Sequence, residues 1–157
     1  MNEAIITAIL DKSAESDVSK VNCIMKIWLE TNIDAHNFIP KEYWVSNYEA
    51  VKNALYSAQI LMYEQDIIKG FIGITDSFYI AGLFVAKDFQ RCGIGSLLIE
   101  ECKRRYSCLE LDVYVNNTGS VAFYKHHGFA IEHEKENDDT KEKEYHMSWN
   151  TKNYCTL

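Results

Sequence analysis

Apolar residues recur along this chain with two periods, and the switching between them lays out a fold. The run Ile5-Ile6-Thr7-Ala8-Ile9-Leu10 predicts a strand over 5–11. Val18, Val21, Ile24, Met25, Trp28 and Leu29 then follow the spacing of one helix face, with Ser16 or Asp17 placed to cap it. A loop is expected from Thr31 to Ile39. Pro40, the only proline, suits the first turn of a second helix with Trp44, Tyr48, Val51 and Leu55 inside. Runs near 59–64 and 69–75 read as strands joined by a hairpin-like turn at Glu64-Gln65-Asp66. A long buried strand is expected over 78–86, and a helix from Ser96 to about Tyr106. Residues 109–115 alternate as Leu-Glu-Leu-Asp-Val-Tyr-Val, a strand with one apolar face. Asn117 can cap a short helix, Ser120 to His127, ended by Gly128. Strands from Phe129 to Lys135 and from Glu144 to Trp149 flank the polar turn Asn137-Asp138-Asp139-Thr140. No repeat, low-complexity tract or linker interrupts residues 1–157, so one domain is expected. The order βααβββαβαββ predicts an α+β fold, a mixed sheet with helices packed on it.

Between the central strand and the helix after it lies Gln90-Arg91-Cys92-Gly93-Ile94-Gly95. A glycine-bearing turn at a helix start leaves backbone N–H groups unpaired, and with the helix dipole these form a site for phosphate. Glycine allows close approach and φ > 0; Arg91 can add charge at the rim. Three phosphate loops compete. A Walker A loop is excluded, because no Gly-Lys-Ser/Thr follows. A dinucleotide-binding fingerprint would use Asp112 for a ribose, but Leu98 occupies its third glycine position and too little chain follows. The third is a Q/R-x-x-G-x-G/A pyrophosphate loop, and Gln90, Gly93 and Gly95 match it.

Composition narrows the partners. A net charge of −7 and pI near 5.2 disfavour a nucleic-acid surface. The same charge suits a cationic acceptor, although solubility alone would account for it. Cys23, Cys92, Cys102, Cys108 and Cys155 are odd in number and match no zinc spacing, which fits free thiols in the cytoplasm. Cys92 has no histidine partner placed by the sequence and is not taken as a nucleophile. The first apolar run is too short to span a bilayer and lacks a basic flank, so no membrane association is expected. No metal-ligand pattern emerges from the histidines, and His126, His127, His133 and His146 are expected to be surface or packing residues.

The loop, the element order and a second segment, Asn117-Thr118-Gly119-Ser120-Val121-Ala122-Phe123-Tyr124-Lys125-His126-His127-Gly128-Phe129, together resemble the GCN5-related N-acetyltransferase (GNAT) family and its N-x(6)-Y-x(3)-G-F motif. Ala35-His36-Asn37-Phe38-Ile39 and the ending Met147-Ser148-Trp149 are similar to small bacterial acetyltransferases of the YiaC/YjaB type. The resemblance implies a central mixed sheet of six to seven strands flanked by about four helices. It implies acetyl-CoA as co-substrate, no metal, and a primary amine as acceptor: a protein lysine, or alternatively a polyamine, amino-acid analogue or antibiotic. A non-catalytic acyl-CoA-binding module is the rival from another class, against which Tyr124 argues. The protein would act as a monomer or homodimer.

The resemblance also implies roles. Main-chain groups of Leu83, Phe84 and Val85 would face the acetyl and pantetheine amides, with the oxyanion donor near Phe84 or Val85. Gln90, Arg91, Cys92, Gly93, Ile94, Gly95 and Ser96 would hold the pyrophosphate, and Asn117 would contact the pantetheine. Tyr124 would protonate the leaving thiolate; a phenol stays protonated at neutral pH. Two candidates stand for the general base: Asp112, where many relatives carry glutamate, and His36, whose loop flanks the acceptor cleft. His36, Phe38, Tyr79 and Asp112 are expected to line the acceptor side.

Overall fold

The computed structural model describes residues 4–151, and in it the apolar runs close into one seven-stranded sheet. Its strands are β1 (Ile5–Ala8), β2 (Gln59–Gln65), β3 (Ile67–Thr75), β4 (Tyr79–Val85), β5 (Cys108–Tyr114), β6 (Ala130–Glu136) and β7 (Lys143–Asn150). Their spatial order is β1-β2-β3-β4-β5-β7-β6, and β4 with β5 is the parallel pair. The helices are α1 (Glu15–Ala35), α2 (Lys41–Leu55), α3 (Ile94–Arg105) and α4 (Thr118–His126). No helix among the described residues is long and apolar enough to cross a membrane. Cys155 lies outside the described residues.

Strand alternation divides the core into two clusters. Ile60, Met62, Phe71 and Tyr114 pack with Val21, Ile24, Met25, Trp28 and Trp44 of α1 and α2. Leu61, Ile72, Leu109, Leu111, Val113 and Met147 pack with Leu98, Ile99 and Cys102 of α3 and with Val121 and Tyr124 of α4. Burying each such side chain contributes about 1.5–3 kcal/mol. The opposite parity of β5, Glu110 and Asp112, therefore emerges on the α1/α2 side.

Several boundaries differ from the sequence pattern. The helix α1 starts at Glu15, with Ala14 as its N-cap and no side-chain cap. The Asp17 carboxylate instead accepts the backbone N–H of Asp11 at 3.0 Å. Residues 31–35, expected as loop, continue α1, because the buried Asn32 extends its inner face and donates to Trp28 O at 2.9 Å. Pro40 is the N-cap of α2, one residue before the helix. The β2–β3 turn narrows to Asp66, which adopts a left-handed φ of 64°. The 3-10 turn Lys87–Phe89 connects β4 to the glycine loop.

Candidate active site

Pairing between β4 and β5 stops after Tyr79↔Glu110 and Ile80↔Leu111. The two strands then part, while β4 stays paired to β3 as far as Gly70↔Val85. A bulge accompanies the parting: Gly73 and Ile74 oppose Gly82 and Ile80, leaving Ala81 as the extra residue. Beyond it, one edge of β4 is open. Ala86 N–H donates to Lys69 O at 2.8 Å. Since successive N–H groups in a strand point to opposite sides, the Phe84 amide faces β3 and those of Leu83 and Val85 face the open edge. Of Phe84 and Val85, Val85 is therefore the one whose amide points to the open edge.

The open edge forms one wall of a cleft of about 870 Å³. His36, Leu83, Phe84, Val85, Gln90, Asp112, Asn117, Tyr124 and Tyr79 all line it. Arg91, Cys92, Gly93, Ile94, Gly95 and Ser96 continue from Gln90 beside the cleft rather than in its wall. Phe38 is also behind it, edge-on to His36 and Tyr114 with ring centroids at 5.6 and 5.8 Å.

The glycine loop has the geometry of an anion cradle. Arg91 and Gly93 both adopt left-handed φ, 63° and 83°, around Cys92. Such alternation turns neighbouring amides toward one point. Gly93 is the N-cap of α3 and no side chain caps the helix, so its first amides are left to a ligand. A Cβ on Gly93 would meet nothing within 4 Å, so conformation is what requires glycine there. Gly95 lies against Phe123, whose ring carbons would be 3.5 Å from an added Cβ. Ile94 buries its side chain and offers only main chain. Gln90 Nε2 donates to Val85 O at 2.9 Å, tying the loop to the open end of β4. Amide donors for a pyrophosphate and an unpaired strand edge for an amide-bearing arm thus sit side by side, and they fit coenzyme A.

Asn117 fixes the orientation of His36. Its Oδ1 accepts the Ser120 N–H at 3.2 Å as the α4 cap, so its Nδ2 donates to His36 Nε2 at 3.1 Å. His36 Nδ1–H then donates to Asn32 O at 3.1 Å. The ring is stacked on Trp44, with centroids 5.2 Å apart, and burial holds its pKa below the ordinary value. With its lone pair already engaged, neutral His36 clamps the end of α1 to the start of α4 and is poorly placed to take a proton.

Asp112 is held by three donors. Tyr79 Oη donates to Oδ2 at 2.6 Å, and His146 Nδ1 and Lys135 Nζ approach Oδ1 at 2.8 and 3.0 Å. Burial pushes the Asp112 carboxyl upward, but the bonds from Tyr79, His146 and Lys135 outweigh it and hold the pKa below the usual range. His146 is not an isolated surface residue: Nε2 also lies 3.5 Å from Glu110, and the ring stacks on His133 at 5.1 Å. Burial lowers its pKa, but the bonds to Asp112 and Glu110 outweigh that effect and raise it above the ordinary value.

Glu144 was missed by sequence reasoning. It pairs across from Tyr114, diagonal to Asp112 on the same face, and lines the cleft. Burial, and to a lesser degree the charge of Asp112, raises its pKa against the hydrogen bond from Asn137 at 3.1 Å and the charge of Lys135. The alternation of β7 could have placed it on this face, but not its burial. Asp34, Glu136, Asp138 and Asp139 add to the cleft wall, against Lys135 as the one Lys or Arg among the described lining residues. Tyr124 is buried, and burial raises its phenol pKa, so the hydroxyl stays protonated at neutral pH.

Residues 31–149 match the acetyltransferase (GNAT) domain family. The chain is 34% identical over 137 residues to the peptidyl-lysine N-acetyltransferase YiaC of Escherichia coli, covering 86% of this chain and 94% of that protein. The solution structure of apo YjaB from E. coli superposes with a TM-score of 0.73 at 22% identity, covering 92% of this chain and 97% of that one. An acetyltransferase from Bacillus anthracis in complex with acetyl coenzyme A superposes at 0.52 and 22% identity over 60% of this chain and 62% of its own.

Proposed function

This chain belongs to the GNAT family and is an acetyl-CoA-dependent N-acetyltransferase, and from that premise we propose that its acceptor is a lysine side chain of a protein. The observation that carries the reading is the parting of β4 and β5 into a cleft with an anion cradle at one end and carboxylates at the other. The relative named as a peptidyl-lysine acetyltransferase supports the acceptor class. So do Glu110, Asp112 and Glu144, carboxylates on one face of β5 and β7, of which Asp112 and Glu144 line the cleft. The exposed free thiols of Cys23, Cys92 and Cys108 support a cytoplasmic location.

Acetyl-CoA supplies an acyl group activated as a thioester. The chain's own residues bind and orient it and move protons. Loop amides and Arg91 hold the pyrophosphate. The open-edge amides of Leu83 and Val85 bind the arm, and Val85 N–H stabilises the developing oxyanion. Asp112, kept anionic by Tyr79, His146 and Lys135, holds the acceptor ammonium. Glu144 takes its proton, since two carboxylates whose environments push their pKa values apart divide these roles. Tyr124 donates its hydroxyl proton to the departing sulfur. Transfer is direct, because no cysteine lines the cleft among the described residues.

A panel of lysine peptides, polyamines, amino acids and aminoglycosides, read by thiol release and mass spectrometry, tests this. Acetylation of an internal lysine side chain is expected. Turnover confined to small amines would overturn the acceptor class.

A further inference from the structure

A lysine on an edge strand ordinarily extends into water, where its charge keeps the open edge from pairing. Lys135 does otherwise. The order β5-β7-β6 puts β6 at the edge of the sheet, and the whole strand is exposed. Yet the Lys135 side chain reaches inward across β7, and its Nζ lies 3.0 Å from Asp112 Oδ1 on β5. Its cross-strand partner is Glu144. Lys135, Asp112, Glu144, Val85 and Tyr124 line one cleft, and Lys135 is the one Lys or Arg among its described lining residues. Lys143, on the neighbouring strand, pairs instead with Glu134 at 3.7 Å and lies outside the cleft. Since Lys135 is 41% exposed, its ion pair contributes little stability.

A primary amine of the chain itself is thus held on the carboxylate assigned above to the acceptor ammonium, opposite the carboxylate assigned as base. We infer that Lys135 is an acetylation site of this enzyme, taking the acetyl group from acetyl-CoA bound in the same molecule. This rests on the reading of the acidic end of the cleft as a lysine-acceptor site. Glu144 takes the first proton from the Lys135 ammonium and passes it to solvent. The neutral Nζ attacks the thioester carbonyl carbon, so that the C–N bond forms and the C–S bond breaks. Tyr124 protonates the departing sulfur and is replenished by the second proton of the nitrogen. The products are acetyl-lysine, the free thiol of coenzyme A and one released proton. Acetylation removes the Lys135 charge and with it the ion pair to Asp112.

The test is incubation of the purified protein with acetyl-CoA carrying a deuterated acetyl group, followed by site-resolved mass spectrometry. A lysine peptide is supplied in a parallel reaction. Lys135 should acquire the label faster than Lys143, although Lys143 is 70% exposed and would lead in uncatalysed acetylation. The rate per molecule should stay constant across protein concentrations. Glu144→Gln should slow labelling of Lys135 by about 10²-fold and leave Lys143 unchanged. Labelling of Lys135 no faster than that of Lys143, or equal labelling in wild type and in Gly93→Val, would overturn the inference even if Glu144→Gln failed to fold. A rate that rises with protein concentration would overturn transfer within one molecule. Acetylation of the peptide with Lys135 unlabelled would overturn this inference alone, whereas an unmodified peptide and an unlabelled Lys135 together would overturn the lysine-acceptor reading as well.

Discussion

Replacing Asp112 by asparagine is the most informative single change, because it keeps size and removes charge. Tyr79, His146 and Lys135 lie 2.6, 2.8 and 3.0 Å from its two oxygens. An amide can satisfy Tyr79 with its oxygen, but its NH2 group then confronts two donors. Hydrogen bonds to charged groups are worth roughly 1.5–3 kcal/mol each. Lys135 is 41% exposed, so its share is heavily screened. A loss of about 2 kcal/mol remains, or roughly 4–8 °C in Tm for a chain of this size. The folded pKa of Asp112 is depressed. Its stabilisation is therefore complete above the unfolded carboxyl pKa of about 3.9 and is lost as pH falls through the folded value. In thermal unfolding followed by circular dichroism, the gap between wild type and Asp112→Asn should be full at pH 7 and close in acid. The same substitution should lower kcat/KM for a lysine peptide roughly 10- to 100-fold, mainly through KM, with acetyl-CoA affinity kept. Equal Tm values at pH 7 together with a kcat/KM within twofold of wild type would refute both the network and the ammonium site.

Glu144→Gln should abolish or shift the acidic limb of the pH–rate profile, whereas His36→Gln should leave that limb in place and lower stability by about 1 kcal/mol through the lost Asn117 contact; a limb that moves only in His36→Gln would reverse the assignment. Tyr124→Phe should cut turnover by roughly 10²-fold at unchanged acetyl-CoA affinity, measured by steady-state kinetics and calorimetry, and an unaltered rate would return Tyr124 to a packing role. Gly93→Val should block acetyl-CoA binding while thermal unfolding shows a folded protein, at a conformational cost of about 1–2 kcal/mol, and unchanged affinity would remove the loop from the binding site.

Local pattern carried most of the elements. The parity of Leu109, Leu111 and Val113 placed Asp112 on the opposite face. The N-cap geometry of Asn117 and the glycine spacing at Gly93 and Gly95 located α4 and the loop, because caps and left-handed positions are decided within a few residues. The end of α1 was misread because Asn32 and His36 are polar by type, and only the folded packing, with His36 against Trp44 and Tyr114, makes them interior.

The sequence by itself determined which strands alternate, where the glycine loop opens a helix, and that a tyrosine follows at the spacing of its motif. Tertiary structure decided how charges are shared. Asp112 meets His146 and Lys135 only because β5 pairs with β7 and β7 with β6. Ser96, Glu100 and His127 form one line only because the first turn of α3 packs on the end of α4. Donor and acceptor geometry, burial and the resulting pKa shifts act over a few ångströms between segments distant in the chain. Residue type and spacing can nominate such groups, but only the folded arrangement sets which of them holds a proton and which gives one up.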